Sequence, residues 1–120
     1  MDIKENVSKL FEIFDKQDIE GFSDLLTDNA TFRFGNMDSA IGKAAISQAQ
    51  KGFFSSIAGM KHELKRNWAK DDSLVVEGLV TYTRKDNSTV TLPFVDVFNL
   101  EGEKICDTLI YMDINPLFNP

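Results

Sequence analysis

Val7, Leu10, Phe11 and Phe14 recur at the i, i+3, i+4, i+7 spacing of an amphipathic helix, with Lys4, Glu5, Lys9 and Glu12 on the opposite side. Ile19, Phe22, Leu25 and Leu26 predict a second, short helix, with Asp18 as its N-cap and Asp28-Asn29 as the turn that ends it. Ala30 to Phe34 alternates as a short strand, Gly35-Asn36 reads as a tight turn, and Met37 to Ile41 as a weak return strand. From Lys43 the apolar positions Ile46, Ala49, Phe53, Phe54 and Ile57 return to helical spacing, and Gly59 is placed to end this third and longest helix.

Beyond Gly59 the pattern is strand throughout: Met60 to Ala69, Leu74 to Arg84, Ser88 to Leu100 and Lys104 to Asp113. The separators Lys70-Asp71-Asp72, Lys85-Asp86-Asn87 and Glu101-Gly102-Glu103 are short enough to force neighbouring strands to run antiparallel. The order of elements predicts an α+β chain in which a long curved antiparallel sheet is covered by three N-terminal helices. Alternation assigns one face to Met60, His62, Leu64, Arg66 and Trp68, then Val76, Gly78, Val80 and Tyr82, then Leu92, Phe94, Asp96 and Phe98, and last Cys106, Thr108, Ile110 and Met112.

These residues are placed to line a single concavity, and the expected pocket walls are Phe34 of the first strand, Phe54 of the third helix and eight residues of the long strands. Those eight are Leu64 and Trp68, Val80, Phe94 and Phe98, and Thr108, Ile110 and Met112. The opposite faces still carry Leu79, Val95, Val97, Ile105, Leu109 and Tyr111, too much apolar surface for a solvated sheet, so a second copy of the chain is expected to cover them in a symmetric dimer.

Asp96 breaks this pattern: it shares its face with Leu92, Phe94, Phe98 and Leu100. A carboxyl group in that company must find a hydrogen bond, become protonated or face a wet cavity, and each outcome suits a binding site. His62, the only histidine, and Tyr82 fall on the same inward side, where an imidazole can relay a proton and a phenol can donate to a carbonyl. Arg33 and Arg66 are candidates for an anionic ligand group, or for side chains that snorkel at a rim.

Composition narrows the choice. The 120 residues fit one domain, residues 1–120, and 42% are hydrophobic, with ten Phe against one Trp and two Tyr, so the interior is lined by rings without polar handles. Thirteen Lys plus Arg against nineteen Asp plus Glu give a net charge of −6, which repels phosphate backbones and anionic lipid, so neither nucleic acid nor membrane is expected as a partner. The chain shows no long apolar run and no basic-then-apolar leader, so a cytoplasmic location is the expectation. One cysteine, Cys106, excludes an internal disulfide, and Cys106 with His62 cannot assemble a zinc site.

Three loose motifs, Asp18-Ile19-Glu20-Gly21-Phe22, Leu26-Thr27-Asp28-Asn29-Ala30-Thr31-Phe32 and Ile41-Gly42-Lys43-Ala44-Ala45-Ile46, follow one another through the first half of the chain. With Leu92-Pro93-Phe94-Val95-Asp96-Val97-Phe98, Gly102-Glu103-Lys104-Ile105 and Tyr111-Met112-Asp113, they resemble the nuclear transport factor 2-like superfamily over essentially the whole chain. The likeness is to its SnoaL-like and ketosteroid-isomerase-like branches. It implies a cone-shaped, cystatin-like α+β barrel, open at one end around an apolar pocket, and usually a homodimer.

The resemblance implies chemistry only residue by residue. Ketosteroid isomerases carry a neutral carboxylic acid on the penultimate long strand, a position that falls on Asp96. Their tyrosine partner would fall at Leu10 or Phe11 and their general base at Arg33, Phe34 or Gly35, so that reaction does not carry over; Asp38, just downstream, is the one substitute. The triad of related epoxide hydrolases is absent, since Ile110 stands where one acid belongs and Arg84-Lys85-Asp86 lies in a hairpin turn. SnoaL-like cyclases need a single acid-base Asp in an apolar pocket, which Asp96 satisfies. Two functions follow. One is a cofactor-independent acid-base isomerase, cyclase or dehydratase acting on a small apolar molecule through Asp96, His62 and Tyr82; the other is a non-catalytic small-molecule-binding or dimerisation module of the same fold.

Overall fold

The computed structural model describes residues 1–120. After a 3₁₀ turn at Ile3–Glu5, the order is α1 (Val7–Asp15), α2 (Ile19–Ser23), β1 (Leu26–Phe34), β2 (Ala40–Ile41), α3 (Lys43–Phe54), β3 (Gly59–Lys70), β4 (Ser73–Thr83), β5 (Thr89–Glu101), β6 (Lys104–Tyr111) and a short α4 (Asn115–Phe118). The expected amphipathic faces are used: α1 buries Val7, Leu10, Phe11 and Phe14, and the Asp18 carboxylate caps α2 by accepting from the Gly21 N–H. The third helix ends at Phe54, so Ile57 sits past it, and Gly59 opens β3 instead of closing the helix.

The six strands form one sheet in the order β2-β1-β6-β5-β4-β3. The long strands pair antiparallel, whereas β1 lies parallel to β6, with Phe32 beside Thr108 and Phe34 beside Ile110. The sheet is therefore mixed. Tight turns dictate direction only between strands consecutive in sequence, and β1 and β6 are joined by most of the chain. The helices α1 to α3 close the concave side, making an α+β cone, and no helix is long and apolar enough to cross a membrane.

Two β-bulges correct the simple alternation. Leu64 pairs with Gly78 but Arg66 pairs with Glu77, so Lys65 is an extra residue and the rest of β3 rotates by one face. Arg66 and Trp68 consequently point outward: Arg66 meets Glu77 at 2.8 Å, its guanidinium lies 6.0 Å from the Trp68 ring centroid, and Trp68 is 53% exposed. Trp68 is therefore not a pocket residue. The bulge brings the Glu63 carbonyl so close to Gly78 that an added Cβ would lie 2.2 Å from it, which is why glycine occupies this position. In the same way Asn99 pairs with Asp107 and Leu100 with Ile105, leaving Cys106 as the extra residue. Ile105 turns into the core, fully buried, while Cys106 is left half-buried with its thiol directed at the Asn99 carbonyl at 3.3 Å.

Candidate functional site

Strands β4 and β5 keep strict alternation through the middle of the sheet, with Leu74, Val76, Val80 and Tyr82 buried on one, and Leu92, Phe94, Asp96, Phe98 and Leu100 on the other. This register aims Asp96, 3% exposed, into the cone. The cone divides into two parts. Its narrow end is solid, filled by Leu10, Val76, Phe98 and Thr108, all fully buried. Its wide end holds a cavity of about 500 Å³ between α3, the end of β1, the inner face of the sheet and α4.

Asp96, His62 and Tyr82 all line this cavity, together with Phe34, Phe54, Val80, Phe94, Ile110 and Met112. Leu64, Phe98 and Thr108, expected on its walls, are not there. Leu64 packs against the core, and Phe98 and Thr108 belong to the closed end, where the cone has already narrowed to side-chain contact. Rings from elsewhere take their place. Phe53 stacks obliquely on Phe34 with centroids 5.6 Å apart and meets Tyr82 edge-on at 5.7 Å, while Phe118 of α4, 54% exposed, stands at the mouth beside Met37 and Asp38.

The polar groups in this apolar wall have unequal partners. Asp96 Oδ1 is buried without a hydrogen-bond partner, and burial pushes its carboxyl well above the ordinary range, toward the neutral, proton-donating form. Tyr82 donates its hydroxyl to the Met112 sulfur at 3.7 Å, a weak acceptor; its pKa is raised by burial first and by the nearby Asp96 second, so the phenol keeps its proton.

His62 does not reach for Asp96 but pairs with Asp15, the last residue of α1: Nδ1 lies 2.6 Å from Asp15 Oδ1. The backbone N–H of His62 also donates to both Asp15 oxygens, at 3.1 and 3.2 Å, and Lys61 Nζ lies 3.7 Å away. A carboxylate can only accept, so in the neutral imidazole the proton sits on Nδ1 and Nε2 is left as the basic nitrogen. Phe11 and Phe94 hold the ring edge-on, with centroids 4.9 and 5.1 Å away. Desolvation lowers the His62 pKa more than the Asp15 hydrogen bond raises it, which keeps the ring neutral and able to take up a proton.

Asp15 and Gln50 are the site residues that sequence reasoning missed. Asp15 lies four residues after Phe11 and so on its helical stripe, a carboxylate at the edge of an apolar face. Gln50 lies four residues after Ile46 and three before Phe53; it is 6% exposed, lines the cavity, and its Oε1 is buried without a partner. Leaving such an acceptor unpaired costs about 1–3 kcal/mol. The remaining candidates sit elsewhere. Arg33 donates to the Tyr111 hydroxyl at 3.0 Å beside that ring, Arg84 donates to the Leu117 and Pro116 carbonyls at 2.9 and 2.8 Å, and Asp38 is an exposed residue of the cavity mouth. No three His, Cys, Asp or Glu side chains converge to hold a metal ion.

The α+β cone is the architecture of the nuclear transport factor 2-like proteins. The chain matches the SnoaL-like domain family over residues 7–108 and belongs to it. Among solved structures it is similar to an NTF2-like protein of unknown function from Burkholderia pseudomallei K96243, with a TM-score of 0.88 and 17% identity over 99% of this chain and 96% of that one. It is also similar to an LEH-like epoxide hydrolase from M. tuberculosis, with a TM-score of 0.80 and 14% identity over 98% of this chain and 87% of that one. A third is the epoxide hydrolase/cyclase-like enzyme SalBIII, of pyran ring formation in the polyether salinomycin, with a TM-score of 0.79 and 23% identity over 93% and 91%. At these identities the likeness is one of fold. No curated protein matches the chain.

Proposed function

We propose that this SnoaL-like protein binds a small, largely apolar carbonyl compound in the wide end of its cone and moves a proton on it without a cofactor, in an isomerisation, cyclisation or dehydration. The observation that carries this reading is Asp96: a carboxyl with an unpartnered oxygen, buried on the wall of a cavity of about 500 Å³. Burial drives Asp96 and His62 in opposite senses, the acid up and the base down, and each shift favours the uncharged form. A carboxyl favoured in its protonated form and an imidazole favoured in its neutral form on the wall of one cavity offer a proton donor and a proton acceptor to the same guest.

In this reading Asp96 donates a hydrogen bond to the ligand carbonyl and stabilises the negative charge that develops there. Nε2 of His62 accepts the proton from the ligand, with Asp15 holding the ring and stabilising the imidazolium that forms. Tyr82 supplies a second donor near Asp96. The similarity in fold to an LEH-like epoxide hydrolase and to an epoxide hydrolase/cyclase-like enzyme lends support.

Titrating Asp96 by carbon-detected NMR tests the reading. An elevated pKa that moves when an apolar ketone is added supports it, and a value near 4 removes it. The second reading, a module that binds without catalysis, is favoured by Leu10 and Phe11, which are buried apolar side chains where ketosteroid isomerases keep a tyrosine. Binding that persists with unchanged ligand through many hours of incubation decides for it. We further propose that a second copy covers the outer sheet face, where Tyr111 and Trp68 are 47% and 53% exposed; a monomer in analytical ultracentrifugation at micromolar concentration excludes this.

A further inference from the structure

We infer that Arg84 is a positioning residue of the cone: gripping α4 from outside the cavity, it holds Phe118 at the mouth and so sets how long an apolar guest stays inside. The inference rests on the reading of the cone as a ligand site and adds to it a residue that touches no guest.

Helix α4 is four residues long, far below the about 12–15 at which a helix sustains itself in water, so its place is set by what it packs against. Two contacts fix it. Leu117, 3% exposed, is sunk in the core, and Arg84 donates from Nε to the Leu117 carbonyl and from Nη2 to the Pro116 carbonyl, at 2.9 and 2.8 Å. Both acceptors belong to the last turn of the helix, whose carbonyls have no donor within the helix, and the fixed fork of a guanidinium can serve two neighbouring oxygens at once. Arg84 is itself steadied. It follows β4 directly, and its Nη1 donates to Ser88 Oγ at 3.1 Å. Asp86 holds Ser88 in turn, accepting from its hydroxyl at 2.6 Å and from its N–H at 2.9 Å. The turn between β4 and β5 thus reaches across to clamp α4.

Phe118 comes one residue after the clamped Leu117 carbonyl. Its ring lines the cavity and is yet 54% exposed, so the backbone of α4 holds it there more than packing of its own does. A further recess of about 520 Å³, between the β1–β2 turn and α4, shares Phe34, Met37, Met112, Ile114 and Phe118 with the cavity. With space next to it in both, the Phe118 ring stays at the mouth only as long as α4 stays docked.

The test follows prodan, an uncharged naphthyl ketone whose emission moves to the blue in apolar surroundings, by stopped-flow fluorescence with wild type, Arg84→Met, Phe118→Ala and the double variant. Each single variant is expected to release prodan about 3- to 10-fold faster, with association unchanged within about twofold. The double variant is expected to match Phe118→Ala within about twofold, because Arg84 acts through that ring. In Arg84→Met the heteronuclear NOEs of the Leu117 and Asn119 amides fall while those of the strands keep their values. Arg84→Lys, which keeps a donor for one carbonyl, is expected to lie between, and it carries the test where Arg84→Met fails to fold. Effects that multiply in the double variant, wild-type release from Phe118→Ala, or faster release from Arg84→Met with unchanged α4 NOEs each overturn the role of Arg84. A wild type that takes up no prodan overturns it too, and if Asp96 then titrates near its ordinary value of about 4 the reading of the cone falls with it. An Asp96 resonance that shifts on binding, with wild-type release in every variant, overturns the role of Arg84 alone.

Discussion

Thr108 and Asp96 are both buried polar side chains on the inner face of the sheet, both with an oxygen that finds no partner, yet they lie in different worlds. Thr108 pairs across the sheet with Phe98 in the solid narrow end, where a hydroxyl has no room to be anything but a packing defect. Asp96, one inward position from Phe98, stands at the edge of a cavity that can hold a molecule to satisfy it. Burial of a polar group alone is therefore a poor guide to function. The space beside it decides whether the unmet hydrogen bond is a cost or a means of recognition.

The sharpest break in this comparison comes from removing rings at the two ends. Phe98→Ala opens a sealed void among fully buried neighbours and is expected to lower stability by about 3–5 kcal/mol in urea titrations. Phe54→Ala merely enlarges a cavity that already exists and is expected to cost about 1–2 kcal/mol. Equal losses at both sites mean that the wide end is as tightly filled as the narrow one.

The next effect is a dependence on pH. The folded-state pKa of Asp96 is raised, so folding favours the protonated acid. That contribution is complete below the unfolded value of about 4 and is lost as pH rises toward the folded value, at up to about 1.4 kcal/mol per pH unit. Relative to Asp96→Asn, whose amide does not titrate, the wild type therefore loses stability on going from pH 4 upward. Parallel urea midpoints for the two proteins across that range rule out a buried, neutral Asp96.

A smaller change tests the other half of the contrast. Thr108→Val exchanges a stranded hydroxyl for a methyl of similar size and is expected to leave stability unchanged or raise it by about 1 kcal/mol, with no effect on ligand binding. A clear loss shows that the hydroxyl has a partner after all. The smallest effect concerns His62, whose lowered pKa contributes stability above about pH 6.5 that fades as pH falls through the folded value. Asp15→Asn removes a contact that raises this pKa, so the imidazole resonances are expected to titrate at lower pH still. An upward move contradicts the assigned geometry.

Much of the fold is written locally. The helical stripes of α1 and α3, the turn residues between long strands and the alternation through β4 and β5 depend on neighbours a few positions apart, and they suffice to place Asp96, Tyr82, Val80 and Phe94 on the inside. The two β-bulges broke that inference where it depended on uninterrupted alternation, turning Trp68 and Arg66 outward and Ile105 inward. Lys65 and Cys106 carry no turn signature that marks them as extra residues, so nothing short of the paired strand reveals them.

What tertiary structure alone decided is which buried residues face space and which face one another. The bond between Asp15 and His62 joins positions 47 residues apart, and it exists because the end of α1 packs over β3. Gln50 becomes a cavity residue only when α3 is laid across the sheet. The sequence by itself determined that an acid would be buried among rings. How far the cone closes around that acid is a matter of packing between distant elements, and no run of neighbouring residues encodes it.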